Sequence, residues 1–380
     1  MKRTLTAVVA ASSALMLAAC SSSGSSAGST TGGTATSQST GSASDGVTKA
    51  KAYEQQFLEA PTSINLTTPL SKKPDSGKTV IGLDSGLGSA KVLAQYWQQA
   101  AQDLGWTYKD IISGSTPADQ QKAFESALQQ NPDGILTSGI PISTLKTQLA
   151  DAASKKIWVN TSASTDSPSG AMFDTSIANP AQLDEWGKMV AAYVVSESNG
   201  KAEVLDFSLP VFPILEDFDK SFQASIKEWC PTNCKVTETP QQGADIGTKT
   251  PQSVVSAAQT HPNAKWLIFD LGDLATGVTP AIQAAGISGL HIGGLTADTP
   301  NLQNLKSKKE EVWTAYSLPI VAYRQIDSMA RKFNGDPIVA KSLPTQLITQ
   351  NTVGGLHVDK DGNYVGVTDY QAQFKALWKV

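Results

Sequence analysis

The glycine-rich turn Asp84-Ser-Gly-Leu-Gly-Ser89 is the stretch of this sequence that comes nearest to a nucleotide-binding motif. It lies between a predicted strand and a predicted helix, where such turns hold phosphates. A Gly-x-Gly-x-x-Gly fingerprint would require a third glycine at position 91, where the chain has Lys91. The turn can still present the amide groups of a helix to a ligand oxygen. We therefore expect a ligand contact here, and we expect no cofactor.

Other patterns of catalytic residues are equally weak. The zinc-protease pattern His-Glu-x-x-His does not occur, and His261 precedes Pro262, which is typical of a helix end. Carboxylates are plentiful, but no motif pairs two of them for acid–base catalysis. We expect neither an enzyme nor a metal site, and an extracytoplasmic hydrolase is the remaining catalytic alternative.

The sequence has three cysteines, and two of them, Cys230 and Cys234, lie close together. In an exported chain such a pair is expected to form a short-loop disulfide. A metal site is the alternative. It would need further ligands, and the three histidines do not cluster with this pair in sequence.

The N-terminus indicates export. Lys2 and Arg3 precede an apolar run that ends at Leu17, which is typical of a signal peptide and too short for a lasting membrane span. The sequence Leu17-Ala-Ala-Cys20 resembles the lipobox of bacterial lipoproteins, and this resemblance implies cleavage before a lipidated Cys20. An ordinary secretory signal with a chance cysteine is the alternative. Residues 21–46 are almost entirely Ser, Gly, Thr and Ala, which predicts a flexible tether.

Composition limits the possible partners of the remaining chain. The formal net charge is −4, and a protein that binds nucleic acid normally has a basic excess, so we expect no nucleic-acid partner. Hydrophobic residues make up 40% of the sequence, and the length beyond the tether is enough for two domains with cores of their own.

Beyond residue 78, short β-branched runs alternate with longer segments of helical period. Residues 79–83 form the first predicted strand and residues 90–104 the first predicted helix. The alternation continues to residue 159 and, in a second array, from residue 180 to residue 293. It indicates an α/β fold of two doubly wound domains, each with a parallel sheet covered by helices. Ligands of such sheets bind beyond the carboxyl ends of the strands.

Several short motifs in this body carry a family likeness. They are Val80-Ile-Gly-Leu83, Ala100-Ala-Gln-Asp-Leu-Gly-Trp106, Asn131-Pro-Asp-Gly-Ile135, His261-Pro262, Ala284-Ala-Gly286 and Thr299-Pro300. In their order and spacing they resemble type I periplasmic sugar-binding proteins of the ribose-binding kind. The resemblance spans residues 78–335, most of the chain beyond the tether.

The resemblance implies two Rossmann-like parallel-sheet lobes joined by a three-segment hinge, the type I periplasmic binding protein fold. It also implies capture of a small polar solute, a sugar or polyol, in the cleft between the lobes and delivery to the permease of an ABC importer. We expect a monomer held outside the cytoplasm on the cell membrane by its lipid anchor. The alternative function is a lipid-anchored sensor that signals through a membrane partner.

On this basis the chain divides into six segments. They are a signal peptide (1–19), a lipidated tether (20–46), an N-terminal helix and strap (47–77), a first lobe (78–175 and 318–343), a second lobe (176–317 and 344–352) and a C-terminal extension (353–380).

The ligand-binding residues that the resemblance implies follow the predicted strands of both lobes. The first lobe contributes Asp84, Ser85, Leu87, Ser89, Ser138, Asn160 and Ser162, and the second lobe and hinge contribute Phe207, Phe212, Asp270, Asp273, Thr296, Asp298, Tyr316 and Ser317. Aromatic rings supply flat faces for a sugar ring, and carboxylates accept from hydroxyls. Core positions are the alternative for Phe207 and Tyr316, and capping of a predicted helix at 274–286 is the alternative for Asp273.

The sequence departs from the pentose binders at these same loops. Leu87, Ser89 and Ala90 stand where those proteins have an Asn and paired aromatic residues, and Ser162-Ala163 replaces an Asp-Arg pair. The resemblance therefore predicts the fold and the place of the site, and it does not carry over a ribose-like set of hydrogen bonds.

Overall fold

The computed structural model of the protein describes residues 43–380. The predicted signal peptide, Cys20 and tether residues up to 42 lie outside the described residues. The first described element is helix α1 (Ala43–Glu54), so residues 43–46 are helical and the tether prediction was wrong for them. Within residues 43–380, no helix has both the length and the apolarity needed to cross a bilayer.

The first sheet is parallel and lies in the first lobe. Its strands are β1 (Thr79–Asp84), β2 (Thr107–Ile112), β3 (Gly134–Ser138), β4 (Trp158–Ser162) and β5 (Met172–Ile177), in the spatial order β2-β1-β3-β4-β5. Helices α2 (Gly88–Asp103), α3 (Pro117–Gln129) and α4 (Ile142–Ser154) pack against it. Strand β1 lies between β2 and β3, so it is an interior strand of this sheet.

Local sequence explains these helices. In α2, the side chains of Leu93, Trp97 and Ala100 recur at intervals of three and four residues, and all three are buried. Helix α3 starts after Thr116, whose hydroxyl accepts a hydrogen bond from the Asp119 amide, and Pro117 fits the first helical turn.

The second sheet is parallel except at one edge. Its strands are β6 (Glu203–Phe207), β7 (Lys235–Glu238), β8 (Trp266–Phe269), β9 (His291–Leu295), β10 (Val312–Tyr316) and β11 (Thr345–Thr349), in the spatial order β11-β10-β9-β8-β6-β7. Strand β11 runs antiparallel to β10. The helices of this lobe are α5 (Pro180–Glu197), α6 (Leu215–Trp229), α7 (Thr250–Thr260), α8 (Val278–Ala284) and α9 (Thr299–Lys306).

The chain passes between the two sheets at three places. It leaves β5 for α5, it leaves β10 for α10 (Leu318–Asn334), and it leaves α10 for β11. Helix α10 packs against α2 and strands β4 and β5, which puts it on the first sheet. Three parallel connections of this kind allow two rigid lobes to rotate about a hinge.

The segments outside the two arrays pack against α10 and α5. Trp378 of α11 (Tyr370–Trp378) donates a hydrogen bond to Asp327 Oδ1 at 2.9 Å and stacks on Tyr323 with ring centroids 5.6 Å apart. Arg331 donates to the carbonyl oxygen of Thr68 in the N-terminal strap at 2.7 Å. The strap and the C-terminal extension therefore cover the helix that returns to the first lobe, while α1 packs on α5.

Two elements differ from the sequence predictions. The predicted helix 274–286 was wrong at its start, because residues Gly272–Ala275 form a 3-10 turn and α8 begins at Val278. Gly277 separates the two with φ 77°, a conformation outside the helical region. Strand β5 had no counterpart among the predicted elements.

The Sγ atoms of Cys230 and Cys234 lie 2.12 Å apart where α6 ends.

Candidate functional site

A cavity of about 90 Å³ lies where the carboxyl edges of the two sheets face each other. Its first-lobe lining is Leu83, Ser85, Leu87, Ser89, Ala90, Leu93, Trp97, Ser138, Gly139 and Ala163, and its other lining is Phe212, Ile214, Leu215, Leu271, Thr296, Tyr316 and Leu318. We call this space the interlobe cavity. Its position is the one that parallel α/β sheets favour for ligands.

Seven of the predicted ligand-binding residues line the interlobe cavity. They are Ser85, Leu87, Ser89, Ser138, Phe212, Thr296 and Tyr316. Serine, threonine and tyrosine hydroxyls are the polar side-chain groups among these, and no charged side chain of the described residues lines the cavity. The remaining lining is aliphatic or aromatic, so the cavity suits an uncharged molecule with both hydroxyl groups and an apolar face.

The aromatic walls are fixed by their own contacts. Tyr316 stacks on Trp186 at a centroid distance of 4.2 Å and an interplanar angle of 4°. The Trp97 indole donates a hydrogen bond to Gln325 Oε1 at 3.0 Å, and the Gln325 amide donates to the carbonyl of Thr137 at 3.0 Å. These walls are therefore preorganised, which reduces the entropy lost when a ligand is bound.

Phe212 of the second lobe closes the cavity against Gly139 of the first. Gly139 has φ 71°, and a Cβ atom at that position would lie 3.1 Å from Phe212 Cδ1. A residue with a side chain would be strained there and would also crowd the ring. The two lobes are thus in close contact in the structure.

Four predicted first-lobe and second-lobe residues do not line the interlobe cavity because their side chains bond within their own lobe. Asp84 Oδ1 accepts from the Gly86 amide at 2.7 Å, and Asn160 Nδ2 donates to Asp174 Oδ2 at 3.1 Å. Ser162 donates to Ser138 Oγ at 3.0 Å, and Asp270 Oδ2 accepts from the Leu209 amide at 2.6 Å. Ser162 therefore orients a serine that does line the cavity.

Two further predicted ligand-binding residues, Phe207 and Ser317, have structural roles instead. Phe207 is fully buried and stacks on Phe269 with centroids 4.9 Å apart, which is the core alternative considered for it. Ser317 caps α10, and its hydroxyl accepts from the Ile320 amide at 3.2 Å. Neither side chain lines the interlobe cavity.

Asp273 connects the two lobes next to the interlobe cavity. Its Oδ1 accepts from the Gly88 amide at 2.8 Å, and its Oδ2 accepts from the Ser89 hydroxyl at 2.6 Å. Gly88 and Ser89 begin α2, and the residue before them, Leu87, has no side-chain acceptor for the free amides. A second-lobe carboxylate therefore caps a first-lobe helix, where negative charge is favoured.

Asp298 lies beside Asp273 and begins α9 in a capping box with Asn301. Burial raises the pKa of Asp298 well above its usual range, and the nearby charge of Asp273 raises it further. Burial also raises the pKa of Asp273, although hydrogen bonds from Ser89, Gly88 and Asp298 oppose that increase. Burial and the neighbouring carboxylate therefore both favour the neutral form of Asp298.

The sequence analysis missed much of the apolar lining. Trp97 and Leu93 follow the helical period of α2, and that period predicts core positions as readily as site positions. Gly139, Leu215 and Leu271 have no chemical feature that singles them out in a sequence. The usable signal was the position of their loops after predicted strands.

A larger groove of about 690 Å³ lies between one side of α2 and residues 356–371. No residue of the second sheet lines it, so it does not join the two lobes. Within residues 43–380, no group of three or more His, Cys, Asp or Glu side chains is arranged to hold a metal ion.

Three solved structures are similar to this chain in their fold. A sugar ABC transporter protein from Yersinia enterocolitica is 16% identical, with a TM-score of 0.68 and coverage of 82% of this chain and 98% of that chain. A 5-methylthioribose transporter solute-binding protein from Thermotoga lettingae, in complex with 5-methylthioribose, is 17% identical, with a TM-score of 0.66 and coverage of 82% and 99%. An ABC transporter solute-binding protein from Agrobacterium vitis, with bound allitol, is 17% identical, with a TM-score of 0.64 and coverage of 73% and 97%.

These likenesses confirm the predicted type I periplasmic binding protein fold of two α/β lobes. No curated protein matches the sequence. The family model described as a periplasmic binding protein domain matches residues 89–337, which is more than half of the chain. This description agrees with the prediction of an extracytoplasmic binding protein and not of an enzyme. The chain therefore belongs to the periplasmic binding protein domain family.

Proposed function

We propose that this protein is a lipid-anchored receptor that captures a small uncharged solute, a sugar or polyol, and delivers it to the permease of an ABC importer. The observation that carries the proposal is the interlobe cavity, which both lobes line and beside which Asp273 of the second lobe bonds to Ser89 of the first. Capture between hinged lobes requires a site of this kind, because neither lobe alone encloses the solute.

The lining favours an uncharged solute. An ion enclosed in this cavity would lose its hydration without gaining an opposite charge, since no charged side chain of the described residues lines the space. The hydroxyls of Ser85, Ser138 and Thr296 can donate to and accept from solute hydroxyls. Phe212 and Tyr316 offer flat apolar faces, which suit the C–H surface of a sugar ring.

The solved relatives support the sugar or polyol assignment and the importer. Their names include a sugar ABC transporter protein, a 5-methylthioribose transporter protein and a protein with bound allitol. Methylthioribose and allitol are uncharged and carry hydroxyl groups, as the interlobe cavity requires. Passing the solute to a membrane permease explains why a receptor would be kept at the membrane surface.

The anchor and the cysteine pair complete the proposal. Cleavage before Cys20 and lipidation of its thiol would hold the receptor on the outer face of the membrane, because two or more acyl chains anchor a protein stably. A disulfide between Cys230 and Cys234 fits the same oxidising location. Replacing Cys20 with alanine should release the protein from membranes into the medium, which cell fractionation would detect.

Titration calorimetry tests solute capture directly. The panel consists of sugars, polyols including allitol, 5-methylthioribose, nucleosides and amino acids, and we expect one binding site for a sugar or polyol. Gly139→Ala adds a Cβ that would crowd Phe212 and should weaken that binding.

The matched control is Gly286→Ala, because Gly286 also has a positive φ, of 68°, but a Cβ there would have no atom within 4 Å. Absence of binding across the whole panel, or equal binding by both glycine variants, would contradict the proposal.

A further inference from the structure

A second cavity, of about 180 Å³, lies within the second lobe. It is lined by Ser208, Leu209, Pro210, Glu216, Asp219, Lys220, Gln223, Glu238 and Asp270. We call it the acidic pocket, because four of these residues are carboxylates. It shares no lining residue with the interlobe cavity.

The carboxyl edge of the second sheet and one helix build the acidic pocket. Glu238 ends β7, Asp270 follows β8, and Ser208 follows β6. Asp219 is on α6, whose sequence places it one turn after Glu216. All of these residues belong to one lobe, so the pocket keeps its lining whether the lobes are open or closed.

Two buried carboxylates in this lining each have one oxygen without a hydrogen-bond partner among the described residues. Asp270 is 0% exposed, and its Oδ2 accepts from the Leu209 amide while its Oδ1 has no hydrogen-bond partner among residues 43–380. Asp219 is 5% exposed, and its Oδ1 also has no partner within the described part of the chain. Buried acceptors are nearly always paired, and an unpaired carboxylate oxygen is among the most costly groups to bury.

A third carboxylate lies behind these two. Asp206 is fully buried, and its Oδ2 accepts from Gln223 at 3.0 Å, whereas its Oδ1 is unpaired among the described residues. Burial, followed by the charges of Asp270 and Asp206, raises the pKa of Asp219 to about 10. The three acids therefore oppose one another's ionisation.

No basic side chain of the lining pairs with these buried acids. Lys220 is the basic residue of the acidic pocket, but its side chain is 70% exposed and its Nζ pairs with Glu216 at 2.8 Å. The buried end of the pocket thus has unpaired acceptors and no basic partner among its lining residues. A donor that is also a cation would pair with these acceptors and favour their ionised forms.

The choice of cation follows from the arrangement of the acids. Within the described residues, no three carboxylates converge as a metal ion requires. A primary ammonium group has three N–H donors that can reach separate acceptors, and Leu209 and Pro210 offer apolar contact to a short alkyl chain. We propose that the acidic pocket binds the ammonium group of a small primary amine, with Asp219 and Asp270 as its acceptors.

Calorimetry with methylammonium, ethanolamine and putrescine tests this proposal on the intact mature protein. Tetramethylammonium is the control ligand, because it has the same charge and no N–H donor. Asp219→Asn should reduce the affinity for the primary amines by about tenfold or more, since a hydrogen bond to a charged group is lost. Glu228→Gln, at an exposed carboxylate of the same helix, should leave that affinity unchanged.

Each other result would overturn the proposal. Equal binding of tetramethylammonium would mean that the acidic pocket recognises positive charge alone. Binding of calcium ions in place of amines would identify a metal site. Equal affinity in the Asp219→Asn variant would put the amine elsewhere. No response to any amine would mean that the buried acids are satisfied by protons. A folded Asp219→Asn variant is expected, since asparagine has the same shape, and circular dichroism checks it.

Discussion

Replacing Asp273 with asparagine should shift the lobes towards an open state. In the closed structure this carboxylate is the acceptor for the Gly88 amide and the Ser89 hydroxyl, at the start of α2 in the other lobe. Asparagine keeps one oxygen for the amide but removes the negative charge. The variant therefore removes that charge and also the second acceptor, which the Ser89 hydroxyl uses.

The expected size follows from the contacts. Hydrogen bonds to charged groups contribute about 1.5–3 kcal/mol and neutral ones about 0.5–1.5 kcal/mol, so the charge contributes about 1 kcal/mol per bond. Favourable interaction with the helix dipole adds about 0.3–1 kcal/mol. A neutral asparagine is also less costly to bury than a carboxylate, and this offsets part of the loss. Burial is the main cause of the raised pKa of Asp273. We expect a net loss of about 1–2 kcal/mol, which is a factor of about 5–30 in the closed-to-open ratio.

Small-angle X-ray scattering and calorimetry check this expectation together. The variant should have a larger radius of gyration, and its solute affinity should fall by the same factor as the closed population. Asp166→Asn is the matched control, because Asp166 Oδ2 accepts from the Ile142 amide at the start of α4 within the first lobe. An unchanged radius of gyration for the Asp273 variant, or an equal change for the control, would refute a role for this charge in closure.

Three further predictions follow from other parts of the structure. Phe212→Ala should lower solute affinity about tenfold or more, because burying an aromatic side chain contributes about 1.5–3 kcal/mol, and calorimetry that finds no change would contradict this. Burial raises the pKa of Asp206 to about 7, so the folded state retains a proton that the unfolded chain loses near pH 4. The stability contribution of this group is therefore present at low pH and lost as pH rises to about 7, and Asp206→Asn should flatten the pH dependence in denaturant titrations. An equal pH dependence of the unfolding free energy in the unmodified protein and in Asp206→Asn would contradict this prediction. Trp378→Ala should cost about 3–5 kcal/mol of unfolding free energy, because Trp378 is fully buried against Tyr323, and a loss under about 1 kcal/mol would show that the extension is peripheral.

The fold was predictable from sequence wherever burial imposed a simple period. Strand β8 is apolar at every position and α2 has a regular apolar stripe, so both were evident. Strand β5 was not, because it includes Asp174 and Ser176 and pairs with β4 through shifts of register. An irregular strand of mixed polarity has no period to detect, and its existence depends on neighbours distant in sequence.

The site was predictable at the level of loops and less so at the level of side chains. The rule that ligands bind at carboxyl ends of parallel strands identified the loops that carry Ser85, Ser138 and Phe212. It did not determine which side chains face the cavity. Asp84 turns back to the Gly86 amide two residues later, and such local hydrogen bonds are decided by backbone geometry.

Asp273 shows how one backbone detail determines a contact between lobes. Had a helix begun at residue 274, the Asp273 carboxylate would have capped it, as the sequence suggested. The 3-10 turn Gly272–Ala275 instead delays α8 until Val278, so the carboxylate is available to α2. Gly272 permits this turn, because a Cβ there would lie 2.1 Å from the Thr296 carbonyl oxygen. Since any side chain at Gly272 would displace the turn from β9, closure depends on this glycine as well as on the charge that it positions.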